Sequence, residues 1–340
     1  MTEHRGTIAI IGAGSWGTAL SVALGQAGWG INLWARRAEI AQAISRDRRN
    51  PEYLSEFELP DSVEATADLG EAVADAEMVV LAVPSQGMRS VCERLALHVQ
   101  PDVGVVTAAK GLEQETGRRM SEVVADCLGP NREGKIAALS GPNLAPEIAA
   151  GNASATVAAC PDAAFAARVQ AALGTPRFRV YTNPDVLGVE LGGALKNIIG
   201  IATGVSDGLG FGDNSKAALI TRGLAEITRL GVALGARAET FRGLSGIGDL
   251  VATCAGATSR NHFVGSKLAQ GRPLHAILAE MAPQIAEGIE TTRAALRLAA
   301  QAGVEMPITA AVHKVLFEGL APLEAGKSLM TRAWRDELEE

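Results

Sequence analysis

Thr7-Ile-Ala-Ile-Ile-Gly-Ala-Gly-Ser-Trp-Gly17 is the stretch whose reading decides the fold. A short, mostly apolar run leads directly into Gly12-Ala-Gly-Ser-Trp-Gly17, and a helical pattern continues to Gln26. A lone G-x-G-x-x-G says little, but a strand before it and a helix after it supply the context in which it binds a dinucleotide. Gly12 then permits the tight turn, Gly14 lets a pyrophosphate approach the backbone, and Gly17 lets helix and strand pack closely. The phosphates meet N–H groups at the helix N-terminus, where Ser15 and Trp16 form the first turn.

Working outward, further strands are expected at Gly30–Trp34, Met78–Val83, Val103–Ala109, Lys135–Leu139 and Ser154–Ala159, with Arg177–Tyr181 at an edge. Strands alternating with helical stretches predict a mostly parallel, doubly wound sheet of the Rossmann type. After Asn183-Pro184 the texture changes to long Ala/Leu/Glu/Arg stretches with few β-branched runs. The chain therefore reads as an α/β nucleotide-binding domain over residues 1–186, followed by an all-helical substrate and catalytic domain over 187–340. The second strand ends Leu33-Trp-Ala-Arg-Arg37, where NAD-specific folds usually carry an acidic residue for the ribose 2′-hydroxyl. A guanidinium from Arg36, with Arg37 beside it, suits the 2′-phosphate of NADP instead. NADPH is the expected cofactor, with NADH as the alternative.

Composition narrows the function classes. With 340 residues, a hydrophobic fraction of 47% and 20% charged residues, the chain is long enough and apolar enough for two filled cores. A formal net charge of −7 argues against a general nucleic-acid or anionic-membrane surface. Anionic ligands must then be caught by local lysines, arginines and helix N-termini. No apolar run is expected to reach the roughly 20 residues of a membrane span, and no signal-peptide core is seen near the start. Cys92, Cys127, Cys160 and Cys254 are too scattered for a metal ladder or a disulfide framework. These features predict a cytoplasmic protein without a metal.

Ligands in such sheets bind beyond the carboxyl ends of the strands. Pro84-Ser85-Gln86, Lys110-Gly111 and Ser140-Gly-Pro-Asn143 fall at those ends. Lys110 closes an apolar strand, which makes it a candidate ligand-binding cation. Lys196 lies in an apolar helical segment with Leu191, Leu195, Ile198 and Ile199, and no residue three or four positions away is acidic. Its helical neighbours include Gly192, Gly193 and Gly200, each costing about 1 kcal/mol of helix stability relative to alanine. Either a ligand approaches the backbone beside that lysine, or a second helix does, with the lysine reaching along apolar surface to solvent. Asp249, in Gly243-Leu-Ser-Gly-Ile-Gly-Asp-Leu250, reads as a helix cap, a functional carboxylate or both. Ser259-Arg-Asn261 offers a bidentate fork flanked by hydroxyl and amide, which suits phosphate.

Taken in order, Gly12-Ala-Gly-Ser-Trp-Gly-Thr-Ala-Leu20, Asn50-Pro-Glu-Tyr-Leu54, Lys110-Gly-Leu-Glu113 and Ser140-Gly-Pro-Asn143 form a pattern with Gly193-Ala-Leu-Lys-Asn197 and Asp207-Gly-Leu-Gly210. Ala218-Leu-Ile-Thr-Arg-Gly223, Gly246-Ile-Gly-Asp-Leu250 and Ser259-Arg-Asn261 complete it. From about residue 7 to 315 the chain resembles the bacterial NAD(P)-dependent glycerol-3-phosphate dehydrogenases. The resemblance implies a 6-phosphogluconate-dehydrogenase-like arrangement of an α/β domain and an all-α domain. It implies reversible hydride transfer between dihydroxyacetone phosphate and sn-glycerol 3-phosphate, the backbone of phospholipids. Lys196 would be the general acid/base. Lys110, Asp249, Ser259, Arg260 and Asn261 would hold substrate, helped by Gly141 and Asn143. Ser15, Trp16, Arg36, Lys110, Ala145, Arg260, Ile285 and Glu287 would contact the cofactor. A related two-domain β-hydroxyacid dehydrogenase is the alternative, and a homodimer through the helical domain fits its many apolar helices.

Overall fold

Eight short strands form a single sheet in the computed structural model, which describes residues 5–132, 134–256, 259–334 and 336–337. They are β1 (Thr7–Ile11), β2 (Gly30–Trp34), β3 (Val63–Thr66) and β4 (Met78–Leu81). β5 (Gly104–Thr107), β6 (Ile136–Ser140), β7 (Ser154–Ala159) and β8 (Phe178–Asn183) follow. Their spatial order is β3-β2-β1-β4-β5-β6-β7-β8. Every pair is parallel except β6 with β7, where Leu139 faces Ala158 in antiparallel register.

The apolar runs are continuous because both faces of the sheet are covered. Side chains alternate across a strand, so Ile8 and Ile10 enter one core while Ala9 and Ile11 enter the core behind them. The chain builds outward from β1 in one direction through β2 and β3, then returns to place β4 on the other side of β1. That reversal lies beside the Gly12 turn, the place where such sheets bind ligands.

β3 was not expected from the sequence. Val-Glu-Ala-Thr has no apolar run, because it is an edge strand with only Val63 buried. The excursion before it is held by Arg48, whose guanidinium donates to the carbonyls of Val63 at 2.8 Å, Leu59 at 3.2 Å and also Pro60.

The chain divides into two compact units, Met1–Ala109 with Met120–Val186, and Lys110–Arg119 with Leu187–Glu340. The expectation that residues 1–186 form one uninterrupted domain is corrected by this division. Lys110–Arg119 belongs with the helical unit because its polar ends find partners there. Lys110 pairs with Asp249 at 2.8 Å and Arg119 with Glu190 at 2.7 Å. Leu112 joins the core of the helical unit, and Arg297 donates to the Gln114 carbonyl.

That core forms around the helix Val186–Gly208, on which Leu191, Leu195, Ile198 and Ile199 are buried as their spacing predicts. The helix has 23 residues and contains an 18-residue window of mean hydropathy 1.3, so a segment of membrane-spanning length and apolarity does exist, contrary to the expectation above. Burial of 89% of that window inside the fold accounts for its apolar character.

Candidate functional site

The three glycines of the first turn meet three different surroundings. Gly12 sits at φ +121, and a Cβ there would lie 2.7 Å from the Ala82 carbonyl oxygen. A Cβ on Gly17 would lie 1.8 Å from the Gly12 carbonyl oxygen, so helix and strand approach as closely as backbone allows. A Cβ on Gly14 would meet nothing within 4 Å, which leaves that side of the loop open. The helix Ser15–Gln26 begins there with no side-chain cap and no acidic residue in its first turn. An open glycine, an uncapped helix N-terminus and a first turn without an acidic residue fit the pyrophosphate of a dinucleotide. Trp16 borders this turn and meets Phe178 edge-on at 6.2 Å.

Beyond β2 the two arginines diverge. Arg36 is exposed and makes no ion pair among the described residues. Arg37 pairs with Glu52 and reaches Glu39 at 3.6 Å, and the Glu52 contact raises its pKa. The two arginines thus have different surroundings.

At the end of β6, Gly141 is buried, and Asn143 is committed internally. Its Nδ2 donates to the Ala155 carbonyl at 3.0 Å, and its Oδ1 accepts from the Thr156 hydroxyl at 2.9 Å. Ala145 opens the short helix Ala145–Ala149. Ser85 is buried in the turn Ser85–Gly87 after β4.

In the helical unit, Lys196 is only 7% exposed, which excludes an outstretched lysine with its head in solvent. Two of the glycines beside it, Gly192 and Gly200, serve close packing of chain segments. A Cβ on Gly192 would lie 2.6 Å from the Ser245 carbonyl oxygen, and one on Gly200 would lie 2.9 Å from Thr253 Cγ2. The lysine's partners come from the helix Asp249–Ala255. Lys196 Nζ donates to Asp249 Oδ1 at 2.6 Å and to Thr253 Oγ1 at 2.6 Å. An ammonium has three donors, so one remains uncommitted among the described residues.

Asp249 is the first residue of its helix, with Gly248 as the N-cap, so it does not cap a helix starting at Leu250. Its buried carboxylate lies where the helix dipole favours negative charge. Its second oxygen accepts from Lys110 Nζ at 2.8 Å. Burial lowers the Lys196 pKa to about 8, the attraction of Asp249 opposes this, and the Lys110 charge adds to the lowering. Two cations around one carboxylate leave the cluster with net positive charge.

Ser259, Arg260 and Asn261 take three separate positions. Ser259 caps the helix Arg260–Ala269, its Oγ accepting from the His262 N–H at 3.3 Å. Arg260 is exposed, whereas Asn261 turns inward. Asn261 Nδ2 donates to Asn197 Oδ1 at 2.8 Å, and its own Oδ1 accepts from the Gly288 N–H at 3.0 Å. Asn197 in turn donates to the Lys110 carbonyl at 3.1 Å. Asn261 therefore joins the lysine helix to the start of the helix Gly288–Ala302, next to Glu287. Ile285 is 46% exposed. Sequence reading missed Thr253. The available signal was its position four residues after Asp249, which puts both side chains on one helix face.

A sheet with an open phosphate turn, and a separate helical unit around a buried lysine–carboxylate cluster, define the class of two-unit nucleotide-dependent dehydrogenases. The chain belongs to the NAD-dependent glycerol-3-phosphate dehydrogenase family, whose N-terminal part matches residues 7–166 and whose C-terminal part matches residues 185–327. It is 49% identical over 334 residues to the glycerol-3-phosphate dehydrogenase [NAD(P)+] of Streptomyces griseus, covering 98% of this chain and 99% of that one. It is 52% identical over 324 residues to the enzyme of the same name from Frankia casuarinae, covering 95% and 96%. The solved glycerol-3-phosphate dehydrogenase of Coxiella burnetii matches with a TM-score of 0.91 at 38% identity, covering 96% of this chain and 99% of that one.

Proposed function

We propose that this chain catalyses reversible hydride transfer between NAD(P)H and dihydroxyacetone phosphate, giving sn-glycerol 3-phosphate for phospholipid synthesis. The observation that carries the reading is Lys196, buried between Asp249 and Thr253 with one donor uncommitted. A bound NAD(P)H supplies the hydride to the carbonyl carbon. Lys196 polarises the carbonyl oxygen as an ammonium and gives it a proton, leaving a neutral amine that solvent reprotonates. A pKa of about 8 suits that exchange, since a general acid works best near the operating pH. Asp249 and Thr253 fix the direction of the remaining N–H. Lys110 adds a second positive charge and keeps the Asp249 carboxylate paired.

Arg260, exposed at the start of its helix, holds the substrate phosphate, a remote handle whose binding energy orients the reacting carbon. In this reading Ser259 and Asn261 serve that arginine chiefly by building the helix start on which it stands. Asn143 supports the β6 turn through Ala155 and Thr156, with Gly141 alongside. Gly12, Gly14, Ser15, Trp16, Gly17, Ala145, Ile285 and Glu287 remain the proposed cofactor contacts, and Arg36 favours NADPH over NADH. A cytoplasmic homodimer completes the proposal, and light scattering in solution tests its oligomeric part.

The experiment follows NADPH absorbance with dihydroxyacetone phosphate, then with unphosphorylated dihydroxyacetone, then with NADH. Rapid oxidation that requires the phosphate is expected. Arg260→Ala should raise KM for the phosphorylated substrate far more than it changes turnover of the unphosphorylated one. Protein that binds NADPH but oxidises none of it would overturn the assignment.

A further inference from the structure

We propose that Glu52 sets the cofactor selectivity of this protein, by holding Arg37 in an ion pair so that Arg36 alone answers a ribose 2′-phosphate. The inference rests on the dinucleotide reading above and concerns which nucleotide the site prefers.

Two consecutive arginines follow β2, and only one is uncommitted. Arg36 is exposed without an ion pair among the described residues, while Arg37 is paired with Glu52. The backbone of Glu52 is placed by Asn50, which is fully buried. Asn50 Nδ2 donates to the Ala13 carbonyl at 2.9 Å and to Thr18 Oγ1 at 2.8 Å. Its Oδ1 accepts from the N–H groups of Glu52 at 3.0 Å and Tyr53 at 3.2 Å. Two donors and two acceptor positions satisfy the amide completely. One buried side chain thus holds both the carbonyl of Ala13, inside the Gly12–Gly17 turn, and the backbone that carries Glu52 to Arg37.

The electrostatic consequence depends on the ligand. A 2′-phosphate carries charge, so a carboxylate beside it repels it and also neutralises one of the two nearby cations. A 2′-hydroxyl carries none and is nearly indifferent to both effects. Glu52 therefore moderates the preference for NADP(H) and leaves NAD(H) acceptable. The Arg37 and Glu52 side chains are 45% and 28% exposed, so the effect is that of a screened pair.

The test is equilibrium titration calorimetry on the full-length protein with 2′,5′-ADP and 5′-AMP, and with NADP+ and NAD+. Glu52→Gln preserves shape, and the Asn50 bonds go to the Glu52 backbone, so the fold of the segment is retained. The substitution should tighten 2′,5′-ADP and NADP+ by roughly two- to fivefold. Affinity for 5′-AMP and NAD+ should stay unchanged. Arg37→Ala should alter the ratio little in the parent protein and should remove the gain when combined with Glu52→Gln. Weaker 2′,5′-ADP binding in Glu52→Gln would mean that Glu52 aims Arg37 at the phosphate, which overturns the proposal. An unchanged ratio in every variant overturns it as well, with the dinucleotide reading intact. Failure of the parent protein to bind any of the four nucleotides overturns both.

Discussion

Lys196 and Asp249, separated by 53 positions in sequence, meet at 2.6 Å inside the helical unit. The same carboxylate takes Lys110 on its other oxygen at 2.8 Å. Breaking a buried pair usually costs several kcal/mol because a charge is left without a partner. Here Asp249 keeps Lys110 if Lys196 is removed, and Lys196 keeps Thr253 if Asp249 is removed. Removal of Lys196 is therefore the milder change, whereas removal of Asp249 leaves a buried amine with only a hydroxyl partner and favours its neutral form.

Lys196→Ala removes the proposed proton donor. Turnover should fall by about 10² to 10⁴ or more, the usual worth of a positioned general acid. NADPH affinity should stay close to that of the parent protein, because the phosphate turn lies in the other unit. Steady-state rates beside a fluorescence titration of NADPH separate the two effects. Near-normal turnover would remove Lys196 from the mechanism.

The rate of carbonyl reduction should decline as pH rises through about 8, because reduction needs the ammonium and burial holds Lys196 near that value. Asp249 opposes the lowering, so Asp249→Asn should move the decline to still lower pH. The measurement is kcat against pH for both proteins. A profile that stays flat up to the ordinary lysine value of 10.5 would sink the assignment.

β1, β2 and β7 match their expected bounds, each carrying apolar residues that are buried in the sheet. β3 was hidden because an edge strand needs little apolar surface, and its place is secured by Arg48 and by pairing with β2. At the site, Lys196 was legible from what its own helix lacks, namely an acidic neighbour. Thr253 and the pairing of Lys110 with Asp249 were not, because they depend on tertiary meetings between segments that no short-range pattern records. The two adjacent arginines after β2 are told apart by the ion pairs that Arg37 makes with Glu52 and Glu39. Asn261 reads as a ligand residue in its tripeptide, yet its amide is spent on Asn197 and Gly288.

Gly204 and Gly14 should respond to alanine in opposite ways. A Cβ on Gly204 would lie 2.1 Å from the His262 carbonyl oxygen, and facing it a Cβ on Gly265 would lie 2.0 Å from the Ile201 carbonyl oxygen. Both obstacles are backbone, so the two helices must separate. Gly204→Ala should cost about 1–3 kcal/mol or more, measured by urea unfolding. Gly14→Ala meets no atom within 4 Å and should leave stability nearly unchanged while weakening NADPH binding. Equal stability of the two variants would contradict the packing described here.

Glu226 carries the last prediction, about stability and pH. It lies on the helix Gly212–Ala233, is 3% exposed, and accepts from the N–H of Ile308 and from the N–H and hydroxyl of Thr309 at 3.2 Å. These groups begin the helix Pro307–Phe317, so the carboxyl acts as a cap delivered from another helix. Burial raises its pKa from 4.5 to about 7, against the lowering effect of those hydrogen bonds. Between those two values the folded chain holds a proton that the unfolded chain has lost. Stability must then fall as pH rises through the window, by linkage. Glu226→Gln has no proton to lose there, and it sacrifices one acceptor at Thr309, at about 1–3 kcal/mol. The variant should be less stable than the parent at the acid end, and the gap should narrow as pH approaches 7. Denaturant midpoints of both proteins across this range measure the gap directly, and a gap that stays constant would show that folding does not raise the Glu226 pKa.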